Sequence, residues 1–318
     1  MKKFLVKISF TLTILALIAY PLDLVISCQL KRNNSFEGEL EVWNDIYNAT
    51  NNYPIAIYGS SRAWIHVNSK IIEKELEKPT YNYGVNGYHF PMQYFRHQEL
   101  LRFNNAPELI IITLDATSFQ KLENLYNKVQ FLPFVIYNNK MQDFVSNYNG
   151  FSYTDLNFPL CRYQGEDLVL LELIRDLVNP QSELRYQGFA GKDKKWTKDF
   201  IKAKNEFGTI EIVLDAGIIE LFNKFISECK SKGIEVVMVY PPEYVDGQNF
   251  VSNRDQVINL YERLAARNSL KFLNYSKDQL SYEKKYFYNA THLNLMGANI
   301  FTDKLAKDLK KTEYFSDN

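Results

Sequence analysis

Short apolar runs alternate with amphipathic stretches in two parts of the chain. The apolar runs predict strands at 54–58, 81–83, 109–114 and 234–240, with a weaker one at 271–274. The amphipathic stretches predict helices through 71–76 and 92–101 and around 218–229, 254–267 and 295–309. Because strands that alternate with helices form a mostly parallel sheet covered on both faces, the pattern predicts a three-layer α/β/α domain.

The alternation stops between residues 117 and 209. This stretch is rich in Tyr, Phe, Asn and Lys and has helical pieces such as 168–178. Roughly ninety residues without strands are too many for a compact connection. We therefore expect a long helical insertion at 117–208, acting as a cap or lid, in an α/β domain made of 31–116 and 209–318.

The N-terminal segment, residues 1–30, has the pattern of an export signal. Three lysines among the first seven residues precede an uncharged run over 8–20, the length of a signal-peptide core. Three interpretations stay open: an uncleaved signal anchor with Asp23 at the membrane interface, a lipoprotein cleaved before Cys28, and ordinary secretion. All three place the rest of the chain on the periplasmic or extracytoplasmic side, whereas a fourth makes the segment a buried helix of a cytosolic protein.

Composition excludes several classes of function. Lys and Arg total 37 and Asp and Glu total 37, so no overall positive field attracts nucleic acid. The three cysteines are too few and too dispersed for a disulfide framework or a zinc cluster, and we expect no metal site. Any chemistry must come from other residues.

Three loops carry residues suited to acyl chemistry. Ser61 follows the first strand in the sequence Gly-Ser-Ser, where a hydroxyl lies beyond the carboxyl end of the strand and is a candidate nucleophile. A turn at 84–87 after the second strand brings a backbone N–H close to a developing oxyanion. His292, in the loop 289–294 before the last helix, is a candidate general base.

Elimination favours His292 among the four histidines. His97 lies within a predicted amphipathic helix, and His89 follows the turn at Gly87. His66 comes so soon after Ser61 that we expect it to point along its own helix. Only His292 combines a loop position with a place late in the chain, from which an imidazole reaches back over a serine.

These motifs resemble blocks I, II and V of the SGNH/GDSL hydrolase superfamily: YGSS at 58–61, GVNG at 84–87 and NATHLN at 289–294. The Gly-Ser-Ser start is similar to the membrane-tethered branch that acylates or deacylates cell-envelope polymers. The resemblance implies a flavodoxin-like strand order and no metal or organic cofactor. It also implies Ser61 as nucleophile, His292 as base, and an oxyanion hole with contributions from the Ser61 amide and Gly87.

Two positions depart from the family pattern. Asp115 stands where the superfamily supplies an Asn after the third strand, so Thr117 becomes the candidate third oxyanion donor. Asn289 stands where the family has the acid of the triad, and an amide orients the imidazole without stabilising its charge. Arg62, Asn86 and Asp115 complete the candidates, as substrate-binding residues.

The expected function is an exported, membrane-associated serine acyl hydrolase or O-acyltransferase. Its substrate would be an ester of an envelope or extracellular glycan, or a small acyl ester. The two departures motivate an alternative, a catalytically silent SGNH-like module that binds a glycan or a partner.

Overall fold

A computed structural model describes residues 1–32, 39–50, 52–178 and 185–316. The predicted domain segments 31–116 and 117–208 therefore fall partly outside the described residues, at 33–38, 51 and 179–184. The chain forms two compact units: residues 1–44 with 122–184, and residues 45–121 with 185–318. We call them the N-terminal unit and the sheet unit.

The sheet unit is built on five parallel strands. They are β1 (Ile55–Tyr58), β2 (Thr80–Asn82), β3 (Leu109–Thr113), β4 (Glu235–Tyr240) and β5 (Lys271–Asn274). Their order is β2-β1-β3-β4-β5, and every neighbouring pair is parallel. This is the flavodoxin-like order, and the predicted α/β fold class is confirmed.

Helices occur in both units. Along the described residues they are α1 (Lys2–Leu30), α2 (Leu40–Tyr47), α3 (Ser61–His66), α4 (Ser69–Leu76), α5 (Phe90–Phe103), α6 (Asn139–Val145), α7 (Tyr153–Asn157), α8 (Asp167–Val178), α9 (Asp199–Phe207), α10 (Ala216–Ser231), α11 (Val245–Gln248), α12 (Arg254–Arg267), α13 (Leu295–Leu309) and α14 (Glu313–Ser316). Short 3₁₀ turns occupy Lys128–Phe131, Cys161–Tyr163, Gln279–Tyr282 and Lys284–Tyr286.

The sheet is buried on both faces, as its continuous apolar strands predict. Alternate residues of β1, β3 and β4 pack in one core with side chains of α3, α4 and α13. On the opposite face, Tyr58 of β1 contacts Phe225 of α10, with ring centroids 6.4 Å apart. Tyr240 of β4 similarly contacts Tyr261 of α12. Helices therefore cover both faces and give the three predicted layers.

The N-terminal unit is helical over its described residues, and α1 is its longest element. An 18-residue window of α1 has a mean hydropathy of 1.9 and is only 6% buried. The helix is long and apolar enough to cross a membrane, a property that signal sequences share. Its buried residues, Asp23, Ser27 and Leu30, lie near its C-terminal end.

Candidate active site

Ser61 lies at the carboxyl end of β1, as the first residue of α3. The chain turns there through Gly59, whose φ is +147°. A Cβ at Gly59 would lie 2.0 Å from Oγ1 of Thr113 and 3.0 Å from its carbonyl oxygen, so only glycine fits. Ser60 caps the helix, because its Oγ accepts the backbone N–H of Arg62 at 3.2 Å. These constraints fix the position of Ser61.

His292 meets Ser61 across the sheet edge. Its Nε2 lies 2.7 Å from Oγ of Ser61. The ring of Tyr288 is stacked on the imidazole at 5.4 Å between centroids and 11° between planes. The following residue, Leu293, is fully buried and anchors the loop in the core. The structure thus brings together the nucleophile and base that the sequence predicts.

Asn289 determines which nitrogen of His292 carries the proton. Its Oδ1 accepts the backbone N–H groups of Thr291 at 3.0 Å and His292 at 2.8 Å, which identifies that atom as the oxygen. The same Oδ1 lies 3.0 Å from Nδ1 of His292. Oγ1 of Thr291 also lies 3.0 Å from Nδ1, and a hydroxyl can accept or donate. Since the amide oxygen only accepts, a protonated Nδ1 is the tautomer that pairs with both oxygens, and Nε2 of the neutral ring then presents its lone pair to Ser61.

The surroundings of His292 keep its imidazole neutral. Burial lowers the pKa of His292, the nearby charge of Arg62 lowers it further, and Asp115 only partly opposes them, so the pKa is about 4. At neutral pH the ring is therefore an unprotonated base. Because this pKa lies below the working range of most enzymes, its basicity is modest.

His66 supports the loop that carries His292, a role that sequence analysis did not predict. It is fully buried, and its Nε2 accepts the backbone N–H of Leu293 at 3.1 Å. The rings of His66 and His292 contact edge to face, 5.8 Å apart. Burial holds the pKa of His66 well below its usual value, which keeps Nε2 available as an acceptor. A histidine soon after a helix start carries no local signal for this long-range bond.

Asp115 is held as a buried carboxylate. It accepts hydrogen bonds from Oγ of Ser60 at 2.5 Å and from the backbone N–H and Oγ1 of Thr117 at 3.1 and 2.8 Å. Burial raises the pKa of Asp115, but the charge of Arg62 and these hydrogen bonds outweigh it, so the pKa is below normal. An ionised carboxylate donates nothing. The Thr117 hydroxyl proton is directed at Asp115, which corrects the expectation that this hydroxyl serves an oxyanion.

Arg62 borders the cavity at this site, but groups of the protein itself hold its guanidinium, and its contact to an acidic substrate stays a prediction. It is 3% exposed, and its Nη1 forms an ion pair with Oε1 of Glu243 at 2.9 Å. Its Nη2 donates to the carbonyl oxygen of Pro241 at 2.5 Å. Glu243 also accepts from Arg254 at 3.2 Å and from Tyr240 at 2.9 Å. The guanidinium is therefore bound within the protein, where its positive charge balances the carboxylates of Glu243 and Asp115 near Ser61.

A cavity of about 410 Å³ opens at this site. Ser61, His292 and Asn289 line it, as does Gly87, whose φ is +71°. Asn86 is half-buried and is not among the described residues that line the cavity. One wall is apolar and consists of Phe200, Ala203, Ile210, Phe250 and Val251. Polar chemistry and an apolar wall thus share one cavity.

No family model and no curated protein matches the sequence. Among solved structures the chain is similar to an acetyl xylan esterase, with 13% identity and a TM-score of 0.40 over 80% of this chain and 99% of that one. It is also similar to a GDSL-like lipase from Bacteroides thetaiotaomicron, with 12% identity and a TM-score of 0.34 over 80% and 88%. Values this low carry no function over to this chain, so function must be argued from the geometry around Ser61.

Proposed function

We propose that this protein is a serine acyl hydrolase or acyltransferase that works through an acyl-Ser61 intermediate. The observation that carries the proposal is the 2.7 Å contact between Oγ of Ser61 and Nε2 of His292, with Nδ1 of His292 bonded to Asn289. A hydroxyl in contact with a correctly oriented neutral imidazole is an activated nucleophile.

Ser61 and His292 account for both halves of such a reaction. As Oγ of Ser61 attacks the carbonyl carbon of an ester, its proton passes to Nε2 of His292. The tetrahedral intermediate then collapses, the bond to the alcohol oxygen breaks, and His292 returns the proton to the leaving alcohol. In the second half, His292 takes a proton from water or from an acceptor hydroxyl, whose oxygen attacks the acyl carbon. The bond from the acyl carbon to Oγ of Ser61 then breaks, and Nε2 of His292 returns the proton to that Oγ.

The backbone N–H groups of Ser61 and Gly87 are the best candidates to stabilise the oxyanion by hydrogen bonding. Both residues line the cavity, at the ends of the turns that follow β1 and β2. Asp115 is unsuited to the task because a carboxylate repels a developing negative charge. Its hydrogen bonds from Ser60 and Thr117 instead fix the loop geometry behind the nucleophile.

The apolar wall suits the acyl part of the substrate. Phe200 of α9 and Phe250 pack edge to face with ring centroids 5.6 Å apart, and Ile210 pairs with Val251 in an isolated β-bridge. A wall of this kind binds hydrocarbon and limits the access of water to the acyl-enzyme. It favours an ester of a short acyl group.

We further propose that the alcohol part belongs to an envelope or extracellular glycan. The apolar helix α1 supports a membrane-associated location, and the motif resemblance implies an exported site. A panel of acetylated polysaccharides, set against a simple aryl acetate, tests the glycan. Release of free acetate indicates hydrolysis, whereas acetylation of an added oligosaccharide indicates transfer.

The experiment that tests the reaction class is an assay of the full-length protein on aryl acetates. We expect turnover that falls to the uncatalysed rate in Ser61→Ala. Ser231→Ala is the matched control and should retain full activity, because Ser231 is an exposed serine at the end of α10 whose Oγ donates to the carbonyl of Glu228, away from the cavity. Turnover above the uncatalysed rate that is equal in wild type and Ser61→Ala would refute the proposal, and the uncatalysed rate in both would favour a silent binding module.

A further inference from the structure

Two polar side chains are buried on one face of the otherwise apolar helix α1. Asp23 and Ser27 have no exposed surface, whereas neighbouring Leu22 and Leu24 are 47% and 49% exposed. The spacing of four residues places Asp23 and Ser27 on the same side of the helix. Two of the three buried residues of α1 are therefore polar and need specific partners, the third being Leu30.

Arg162 of the same unit supplies the partner. Its Nη1 lies 2.6 Å from Oδ2 of Asp23 and its Nη2 lies 2.8 Å from Oδ1, so the two side chains form a bidentate ion pair. Nη2 also donates to Oγ of Ser27 at 2.9 Å, and Nε donates to the carbonyl of Leu132. Neither charged side chain has any exposed surface.

Other groups complete the hydrogen bonding of this pair. Tyr137 donates its hydroxyl to Oδ1 of Asp23 at 2.5 Å, and the backbone N–H of Leu160 donates to Oδ2 at 2.6 Å. The hydroxyl of Tyr163 lies 2.8 Å from Oγ of Ser27. We call Arg162, Tyr137, Leu160 and Tyr163 the Asp23 socket: the first three bond the carboxylate of Asp23, and Tyr163 bonds Ser27 beside it.

We propose that the Asp23 socket is a binding site for the N-terminal helix, which is retained in the mature protein as a permanent anchor. Cleavage before Cys28, or anywhere beyond Asp23, would remove the carboxylate and leave the guanidinium of Arg162 buried without a counter-charge. Breaking a buried ion pair in this way is strongly destabilising. Of the three export interpretations, the signal anchor alone preserves the socket.

The length of the exposed part of α1 fits this role. Residues 4–22 span about 28 Å at 1.5 Å per residue, close to the roughly 30 Å of bilayer hydrocarbon. The one charge within this stretch, Lys7, lies one turn from its N-terminal end, where the long side chain reaches the headgroups. Asp23 then lies where the helix leaves the membrane, and the socket shields its charge. The inference goes beyond the proposed acyl chemistry and does not depend on it.

The first test is the N-terminus of the full-length protein expressed in a bacterial host and recovered from membranes. We expect intact-mass and peptide data to show Asp23 and Ser27 in the mature chain. Cys28→Ser should leave processing unchanged, since Cys28 is exposed and takes no part in the socket. A chain that begins at Cys28 with an attached lipid, or at any residue beyond Asp23, would overturn the proposal.

A second test probes the socket itself by limited trypsin digestion. Asp23→Asn should speed cleavage between residues 122 and 178 by about tenfold or more, because Arg162 loses its counter-charge. Cys28→Ser is the matched control on the same helix and should digest like wild type. Equal digestion of Asp23→Asn and wild type would contradict the proposal. Both tests read the same in Ser61→Ala, so their failure is separable from failure of the proposed function.

Discussion

Oδ1 of Asn289 lies 3.0 Å from Nδ1 of His292, so an amide, not a carboxylate, orients the candidate base. Because backbone N–H groups of Thr291 and His292 fix the amide orientation, the imidazole keeps the tautomer that general-base catalysis needs. The amide supplies orientation without charge. Ser61 can therefore be active beside Asn289, although His292 is a weaker base than it would be beside a carboxylate.

Replacing Asn289 tests whether it orients His292 without stabilising the charge of the imidazolium. Asn289→Asp keeps the acceptor and adds a negative charge that stabilises the imidazolium, so kcat/KM on an aryl acetate should rise. In a serine protease, the wrong histidine tautomer lowers kcat by about 10⁴-fold. Because the tautomer of His292 is already correct, the gain in Asn289→Asp should be smaller than that factor. Asn289→Leu should lower kcat/KM by at least about 10²-fold. A loss of activity in Asn289→Asp would show that the site is built for the amide.

The pH profile should reflect the lowered pKa of His292. A base with a pKa of about 4 is neutral and active above that value, so kcat/KM should hold down to about pH 5 and fall as pH passes through 4. In Asn289→Asp the acidic limb should move to higher pH. A wild-type midpoint near 6.5 would contradict this account. Circular dichroism at each pH separates protonation from unfolding.

Acid should also destabilise the fold through the same histidines. The pKa values of His66 and His292 are lower in the folded protein than in the unfolded chain. The unfolded chain therefore binds more protons below about pH 6.5, and the free energy of unfolding should decrease as pH falls from there. Urea unfolding at pH 7 and pH 5 measures the effect, and His66→Gln should weaken it.

Arg62 should act on stability rather than on substrate binding. Arg62→Met leaves Glu243 and Asp115 as buried carboxylates without their main counter-charge, and we expect a loss of about 3–5 kcal/mol in the free energy of unfolding. Lys307→Met, which removes a surface ion pair with Asp303, is the control and should change little. A stable Arg62→Met variant with a raised KM would instead indicate substrate contact.

His66 should affect catalysis through the loop that it supports. His66→Leu leaves the backbone N–H of Leu293 without an acceptor, which we expect to cost about 1–3 kcal/mol of stability. Displacement of His292 should lower kcat by about 10- to 100-fold with little change in KM. His66→Gln restores an acceptor and should recover much of kcat. His97→Leu, which alters a buried histidine bonded to Tyr58, should reduce stability but not kcat.

The sheet could be predicted from the sequence because its central strands are continuous apolar runs. The runs at 109–114 and 234–240 match β3 and β4 to within one residue at each end. Ser61 and His292 could be predicted as partners because both lie beyond strand ends that meet at one sheet edge. Their 2.7 Å contact spans 231 positions in the chain, and only the tertiary fold sets such a distance.

The internal partners of the site could not be predicted in the same way. Glu243 follows two prolines, and the sequence there indicates only the end of a strand, yet it binds Arg62 from 181 positions away. In the sequence, Asp23 only interrupts an apolar helix, and the structure is needed to show that Arg162 forms an ion pair with it. In each case a buried charge is satisfied by a residue remote in the chain, and no local pattern records the pairing.

The most direct test of the central claim is labelling of the full-length protein with a fluorophosphonate, read by mass spectrometry beside His292→Ala. We predict a covalent adduct on Oγ of Ser61 in the wild type and an adduct rate lowered by at least about 10²-fold in His292→Ala. No adduct on folded wild-type protein, or equal labelling of both proteins, would contradict an activated Ser61.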